Sequence, residues 1–183
     1  MKKRYQFPLK QNIGEAAVPA IVSGETIVRG QLIAFKGDNS LGANIYSSVT
    51  GVVSEVNEKQ ITILAQEEQS RAYKPLMGKE PLALIEEAGI VGLGGAGFPT
   101  YAKLTKPFGK GGSVVINAAE CEPVLAHNIA FIEKHPEKLL RGLEILMEVV
   151  NAREGIIAIK EKHRNAVECL NKILESEAMS MAE

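Results

Sequence analysis

Along residues 1 to 72 the apolar positions come in short runs cut by glycine and polar turns. Ala20-Ile-Val-Ser-Gly24-Glu-Thr-Ile-Val-Arg-Gly30-Gln-Leu-Ile-Ala-Phe35 has turn glycines bracketing apolar pieces, and Asn44-Ile-Tyr-Ser-Ser-Val-Thr-Gly51-Val-Val-Ser-Glu-Val56 and Gln60-Ile-Thr-Ile-Leu64 come next. Short apolar runs with frequent turn signals predict a small β-sandwich or barrel. Residues 66 to 80 are polar and end in proline and glycine signals, which places a linker over 73 to 80. From Pro81 the period changes. Pro81-Leu-Ala-Leu-Ile-Glu-Glu-Ala-Gly89 reads as a short amphipathic helix, with proline at its start and glycine at its end.

Beyond that helix the pattern alternates between strand and helix. Gly112-Ser-Val-Val-Ile-Asn117 suits a buried parallel strand. A helix opens at Pro136 and runs to about Val150, with Leu139, Leu143, Leu146 and Val150 on one stripe. Gly155-Ile-Ile-Ala-Ile-Lys160 is the next strand. A helix from about Arg164 to Ser176 comes after it, with Val167, Leu170 and Leu174 turned inward. Strand, helix, strand and helix imply a right-handed parallel βαβ unit. The expected fold class is therefore α+β joined to α/β, with one domain over 1 to 72 and a second over 81 to 183.

Between the two patterns lies Gly89-Ile-Val-Gly92-Leu-Gly94-Gly95-Ala-Gly97-Phe98-Pro99-Thr100. Glycine serves where a backbone takes positive φ or lets a ligand approach its amides. Pro99 suits the first position of a short helix, and helix-terminal amides beside a glycine-rich run suit a phosphate. Gly92, Gly94 and Gly97 also satisfy G-x-G-x-x-G, but that fingerprint needs a strand before it and a helix opening inside it. A helix precedes this loop, and Pro99 falls inside the helix that the fingerprint would need, so the ordinary dinucleotide reading fails. A nucleotide or flavin phosphate loop is expected, and a structural glycine turn is the bland alternative.

The first strand of the second domain ends in Asn117-Ala-Ala-Glu120-Cys121-Glu122-Pro123. Ligands of open α/β sheets gather at the carboxyl ends of strands, so this polar tip belongs with the glycine loop. Its two carboxylates and asparagine suit a ribityl chain, a ribose or ring nitrogens; solvated turn residues are the alternative. Cys121 reads as a small packed thiol. Cys121 and Cys169 fit no C-x-x-C spacing and, with no export signal, read as reduced. The histidines at 127, 135 and 163 share no ligand spacing with them, so neither zinc nor an iron–sulfur cluster is expected on these residues.

Charge narrows the partners. Lys and Arg number 21 against 22 Asp and Glu, which leaves no electrostatic footprint for nucleic acid. The basic start, Met1-Lys-Lys-Arg4, does not lead into a signal-peptide core, and no apolar run reaches membrane-span length. A cytosolic protein is expected, with peripheral association to a membrane complex through partners left open.

Two resemblances add to this reading. V-x-x-G-E-T-I-x-x-G-Q-L-I-A followed by S-V-T-G-V-V-S-E-V resembles the biotinyl/lipoyl-type barrel-sandwich hybrid. Carriers of that type attach their cofactor to a lysine at a hairpin tip. Lys36 is the nearest candidate here, but it lacks a modified lysine's flanks and reads as a solvated loop lysine. G-L-G-G-A-G-F-P-T-x-x-K with I-N-A-A-E-C-E-P resembles the 51 kDa flavin-binding subunits of respiratory complex I. With F-P-L-K-Q-N-I-G-E before the hybrid domain, the chain is closer still to the Rnf C-subunit family and its proline reductase-associated relatives.

That resemblance implies a Rossmann-like FMN-binding domain and an electron-transfer role. FMN contacts are implied for Gly92, Gly94, Gly95, Ala96, Gly97 and Lys103, with Asn117 and Glu120 near the ribityl chain or ring. Phe98 and Glu122 are implied to face NADH. The 4Fe–4S clusters are expected on further segments, and the chain is expected to be an N-terminal portion. Leu93 stands where the complex I type has arginine, and Ala119 where it has an acidic residue. The alternatives are a docking or scaffold fragment without flavin, a carrier module using Lys36, and, ranked lower, a cobalamin reductase relative.

Overall fold

The computed structural model describes residues 2–180 except 94, 110 and 123, without the side chains of 177–180. It packs as two compact units, Met1–Thr105 and Lys106–Glu183. The helix after the linker and the glycine loop therefore group with the β-rich part, although the change of period falls at Pro81.

The first unit contains β1 (Arg4–Pro8), β2 (Val18–Pro19), β3 (Thr26–Ile27), β4 (Leu32–Phe35), β5 (Ile45–Tyr46), β6 (Gly51–Val56) and β7 (Gln60–Ala65). Two antiparallel sheets, ordered β1-β7-β6-β3 and β2-β4-β5, enclose one core. Ile27, Ile33, Ile61 and Ile63 are wholly buried in that core. The β-branched chains fill a pleated, enclosed surface with little loss of rotamer freedom. At Gly51 an added Cβ would lie 2.3 Å from the carbonyl oxygen of Leu64, so the tight β6–β7 pairing there admits only glycine.

The polar linker is tied down at separated points. Lys74 N–H donates to the Arg29 carbonyl at 3.0 Å, and the Glu87 carboxylate accepts from the amides of Met77 and Gly78 at 3.0 and 2.7 Å. Glu87 belongs to α1 (Pro81–Glu87), which begins at proline as expected. It stops because Gly89, at φ +65°, reverses the chain. Gly89 N–H donates to Glu86 and Ile90 N–H to Ile85, the paired bonds of a Schellman ending. The remaining carbonyl, that of Glu87, accepts from Asn44 Nδ2 at 3.0 Å and from the Tyr46 hydroxyl at 2.6 Å. Every late carbonyl of α1 is thereby satisfied, partly by the β4–β5 hairpin. Pro99 precedes α2 (Thr100–Lys103) as its cap and does not occupy its first position.

The second unit contains β8 (Ser113–Asn117), α3 (His127–Lys134), α4 (Pro136–Val150), β9 (Glu154–Ala158) and α5 (Arg164–Ser180). β8 and β9 pair in parallel, from Ser113 opposite Glu154 to Asn117 opposite Ala158. The expected strands and later helices are present, but three details differ. β8 is buried on one face only: Val114 and Ile116 are partly covered, whereas Val115 is 58% exposed and Ile156 of β9 is 40% exposed. Leu140, Leu143 and Val150 are the buried residues of α4, with Leu139 and Leu146 at the margin, because the helix meets both α3 and α5 and its inward face is rotated by one position. On α5 the inward residues are Ala166 and Leu170; Leu174 is exposed, beyond the end of the core.

Gly89 offers the sharpest test of the first unit. An added Cβ would sit 2.2 Å from the Asn44 carbonyl oxygen, at a positive φ. Gly89→Ala should lower stability by about 3 kcal/mol, combining left-handed strain with a backbone clash. All four tyrosines (5, 46, 73 and 101) lie in the first unit, so tyrosine fluorescence during urea unfolding reports it; an unchanged midpoint refutes the close approach. A second test concerns Tyr46, whose pKa is raised above 10.0, first by burial and further by Glu87, with Asn44 opposing. The folded state then holds this proton more tightly than the unfolded state, so the contribution is complete below pH 10 and fades as pH rises through the folded value. Tyr46→Phe should cost about 1 kcal/mol at neutral pH and progressively less in alkali.

Candidate functional site

The glycine loop is closed at its base like a miniature hairpin. Val91 and Pro99 form an antiparallel bridge, Gly92 N–H donates to the Phe98 carbonyl at 3.0 Å, and Thr100 N–H donates to the Ile90 carbonyl at 2.9 Å. Two amides expected to face a ligand are therefore used internally, Gly92 and the first amide of α2. Gly95 and Gly97 take φ +73° and +63°, and a Cβ added at Gly95 would meet nothing within 4 Å. Among the described residues the amides of Gly95, Ala96 and Gly97 have no hydrogen-bond partner. The exposed donors among them are those of Gly95 and Ala96, since Gly97 is buried. Gly94 lies outside the described residues.

Other parts of the first unit hold this tip. Ile13 N–H, from the segment after β1, donates to the Ala96 carbonyl at 2.9 Å, and Gly97 lies 3.4 Å (as an added Cβ) from Asn12. Phe98 is half-buried, with the Lys103 ammonium 5.4 Å from its ring centroid. These two predicted site residues come together as a cation–π pair, an arrangement favoured by the negative face of the ring. Leu93 is fully exposed beside them.

Lys36 is not the solvated lysine expected from its loop. Its ammonium makes a 3.0 Å ion pair with Glu86 and stands 5.4 Å from the Tyr101 ring centroid. The hydrogen bond to Glu86 raises its pKa above 10.5, against the opposing effect of burial.

In the second unit the carboxyl end of β8 opens onto a cleft of about 450 Å³. Asn117, Glu120 and Glu122 line it, with Asn128 and Phe131 of α3 and Leu139 of α4. Ala118 N–H extends the parallel ladder to the Ala158 carbonyl, and the Asn117 side chain accepts from Ala119 N–H at 3.1 Å, turning the chain outward. Glu120 is held twice: the Lys160 ammonium donates to its main-chain carbonyl, and Asn128 Nδ2 reaches its Oε1 at 3.5 Å. Its other carboxylate oxygen, Oε2, is buried and has no hydrogen-bond partner among the described residues. A buried acceptor beside a polar cleft suits a ligand hydroxyl or N–H. Cys121 is exposed, contrary to the packed thiol expected, because the turn after Ala119 carries it away from the core; its Sγ donates to the Ala119 carbonyl at 3.3 Å.

The structure thus gathers Gly92, Gly95, Ala96, Gly97, Phe98 and Lys103 in one cluster, and Asn117, Glu120 and Glu122 in another. Sequence reasoning does not reach Asn128, Lys160 or Ile13. The helical spacing of Ile129 and Ile132 before Pro136 is the one signal that points to α3 and hence to Asn128. Among the described residues no helix is long and apolar enough to cross a membrane.

Comparison with known proteins gives two family matches along the chain. Residues 1–70 match the RnfC barrel sandwich hybrid domain, and residues 85–182 match the Nuo51 FMN-binding domain. The C subunit of the proton-translocating ferredoxin:NAD(+) oxidoreductase complex of Clostridium ljungdahlii is 33% identical over 187 residues, covering 92% of this chain and 41% of its own length. The C subunit of the ion-translocating oxidoreductase complex of Pseudomonas aeruginosa is 30% identical over 193 residues, covering 95% of this chain and 25% of its own. The C subunit of the Na(+)-translocating ferredoxin:NAD(+) oxidoreductase complex of Acetobacterium woodii is 28% identical over 192 residues, covering 94% and 43%. The chain spans less than half the length of each of these relatives. With a hybrid domain of the RnfC type leading into an FMN-binding domain of the Nuo51 type, the chain belongs to the Rnf C-subunit family of redox proteins, related to the 51 kDa subunits of complex I.

Proposed function

We propose that the chain is the FMN- and NADH-facing part of an electron-transfer subunit within a larger redox complex. The observation that carries this reading is the glycine loop, whose exposed tip at Gly95 and Ala96 carries amides with no hydrogen-bond partner among the described residues, with Gly97 packed on Asn12 beneath them. Such a surface fits a phosphate, because converging N–H groups supply positive potential without the bulk of side chains. FMN, when bound, takes electrons in pairs and passes them on singly, which suits a route from NADH to 4Fe–4S centres on other segments or partner subunits.

The residues of the chain bind and orient. Lys103 adds a cation beside the loop and is held in place by the ring of Phe98. Gly92 shapes the loop base, since its amide is already engaged. In the second unit Asn117 and Glu120 present acceptors to ligand hydroxyl or ring N–H groups, with Glu120 held by Lys160 and Asn128. Glu122, exposed on the same turn, is available to the nicotinamide nucleotide. None of these roles requires a general acid or base. The partners are other subunits of the complex, through which the chain associates with the cytoplasmic face of a membrane.

An FMN titration of the purified chain, followed by absorbance and flavin fluorescence, tests the assignment. Binding by the wild type and its loss in Gly95→Val is the expected result, since valine at φ +73° disfavours the tip conformation without filling any space beneath it. Stoichiometric flavin retained by Gly95→Val removes the loop from the site. A wild-type chain that ignores FMN makes this region a docking module.

A further inference from the structure

Lys36, on the β4–β5 connection, is the nearest candidate for the hairpin lysine of biotinyl/lipoyl-type carriers, yet it is engaged otherwise. Lys36 reaches two helices at once. Glu86, its ion-pair partner at 3.0 Å, lies in the last turn of α1, just ahead of the glycine loop. Tyr101, whose ring the ammonium faces at 5.4 Å, lies in α2, just behind the loop. The Tyr101 hydroxyl in turn approaches the Ser40 carbonyl on the same hairpin connection at 3.4 Å. The main chain of Lys36 is itself fixed, its N–H donating to Asn44 Oδ1 at 3.0 Å, while Asn44 Nδ2 caps Glu87.

We propose that Lys36 is a positioning residue for the glycine loop: one ammonium ties the helix that leads into the loop to the helix that leaves it, and so fixes the span across which the tip amides meet an anionic ligand. The proposal rests on the flavin-loop reading for the identity of that ligand. The fixing of the loop stands on the contacts alone. On this view the β-rich domain serves the chemistry as the mould of the loop, with no cofactor of its own on Lys36. The ammonium is partly covered, with 21% of the side chain exposed against 39% for Glu86. Both contacts are therefore of moderate strength, and their loss loosens the loop without unfolding the domain.

The test uses the full chain and two readouts, amide hydrogen exchange of peptides spanning 88 to 100 and FMN titration. Lys36→Met should speed exchange in those peptides roughly three- to tenfold, the factor expected for a partly covered surface ion pair with a cation–π contact. Peptides of β6 and β7 should not change. Lys36→Arg retains the charge and a cation able to face the Tyr101 ring, and should bring loop exchange most of the way back to wild type. Glu86→Gln should reproduce part of the Lys36→Met effect and carries the test should that variant fail to fold. Rising salt should speed loop exchange in the wild type toward the Lys36→Met rate and leave Lys36→Met unmoved, because the pair is screened. FMN affinity should fall in step with loop exchange. Equal loop exchange in wild type and Lys36→Met, or failure of arginine to rescue, overturns the proposal. If exchange responds as stated but the wild type ignores FMN, the positioning role stands and the flavin reading falls. FMN bound equally by all variants with unchanged loop exchange has the opposite meaning.

Discussion

The contact on which α1 and the glycine loop depend is the approach of Gly89 to Asn44. No side chain fits between the turn at Gly89 and the carbonyl of Asn44, so α1 must end where the β4–β5 hairpin allows. Asn44 then works in three directions, accepting from Lys36 N–H, donating to Glu87 and pressing its own carbonyl against Gly89. A helix of this length has little stability of its own in water, since nucleation is costly and few bonds follow it. α1 persists because the hairpin supplies its missing partners. The glycine loop begins at the residue after this junction and inherits its direction.

The two units offer polar groups of different kinds. In the first, the amides of Gly95 and Ala96 are exposed at a tip where glycine keeps side chains few, an arrangement suited to compact negative charge. In the second, side-chain acceptors crowd a cleft with an apolar wall, and one buried oxygen of Glu120 waits without a donor. Such a group is costly to leave unpaired, and a ligand hydroxyl or N–H or a water would satisfy it. On the proposed reading, one set of groups would read charge and the other donors.

Much of this was legible along the chain, for reasons that differ from place to place. The short strands and their turns followed from glycines flanking β-branched runs, as at Gly24, Gly30 and Gly51. α1 and α4 announced themselves through proline at their starts, Pro81 and Pro136. α3 did not, because its polar stretch around His127 and Asn128 hides a two-residue apolar face, Ile129 and Ile132. The inward faces of α4 and α5 were displaced because packing against two helices, and not periodicity alone, decides which side is buried. At the site the residue types were readable but their engagements were not. Nothing local shows that Gly92 spends its amide on Phe98, that Lys103 lies over Phe98, or that Lys36 finds Glu86 fifty residues away.

The cap on α1 joins residues 41 and 43 positions apart in sequence. Contacts of that range close late, since a long segment must be confined before they form. A chain emerging N-terminus first at about 5–20 residues per second exposes the β4–β5 hairpin several seconds before Gly89 appears. The loop is therefore cast on a surface that already exists. A lesion in the hairpin near Asn44 can leave both β-sheets intact and still appear, during synthesis, as a loop that never sets.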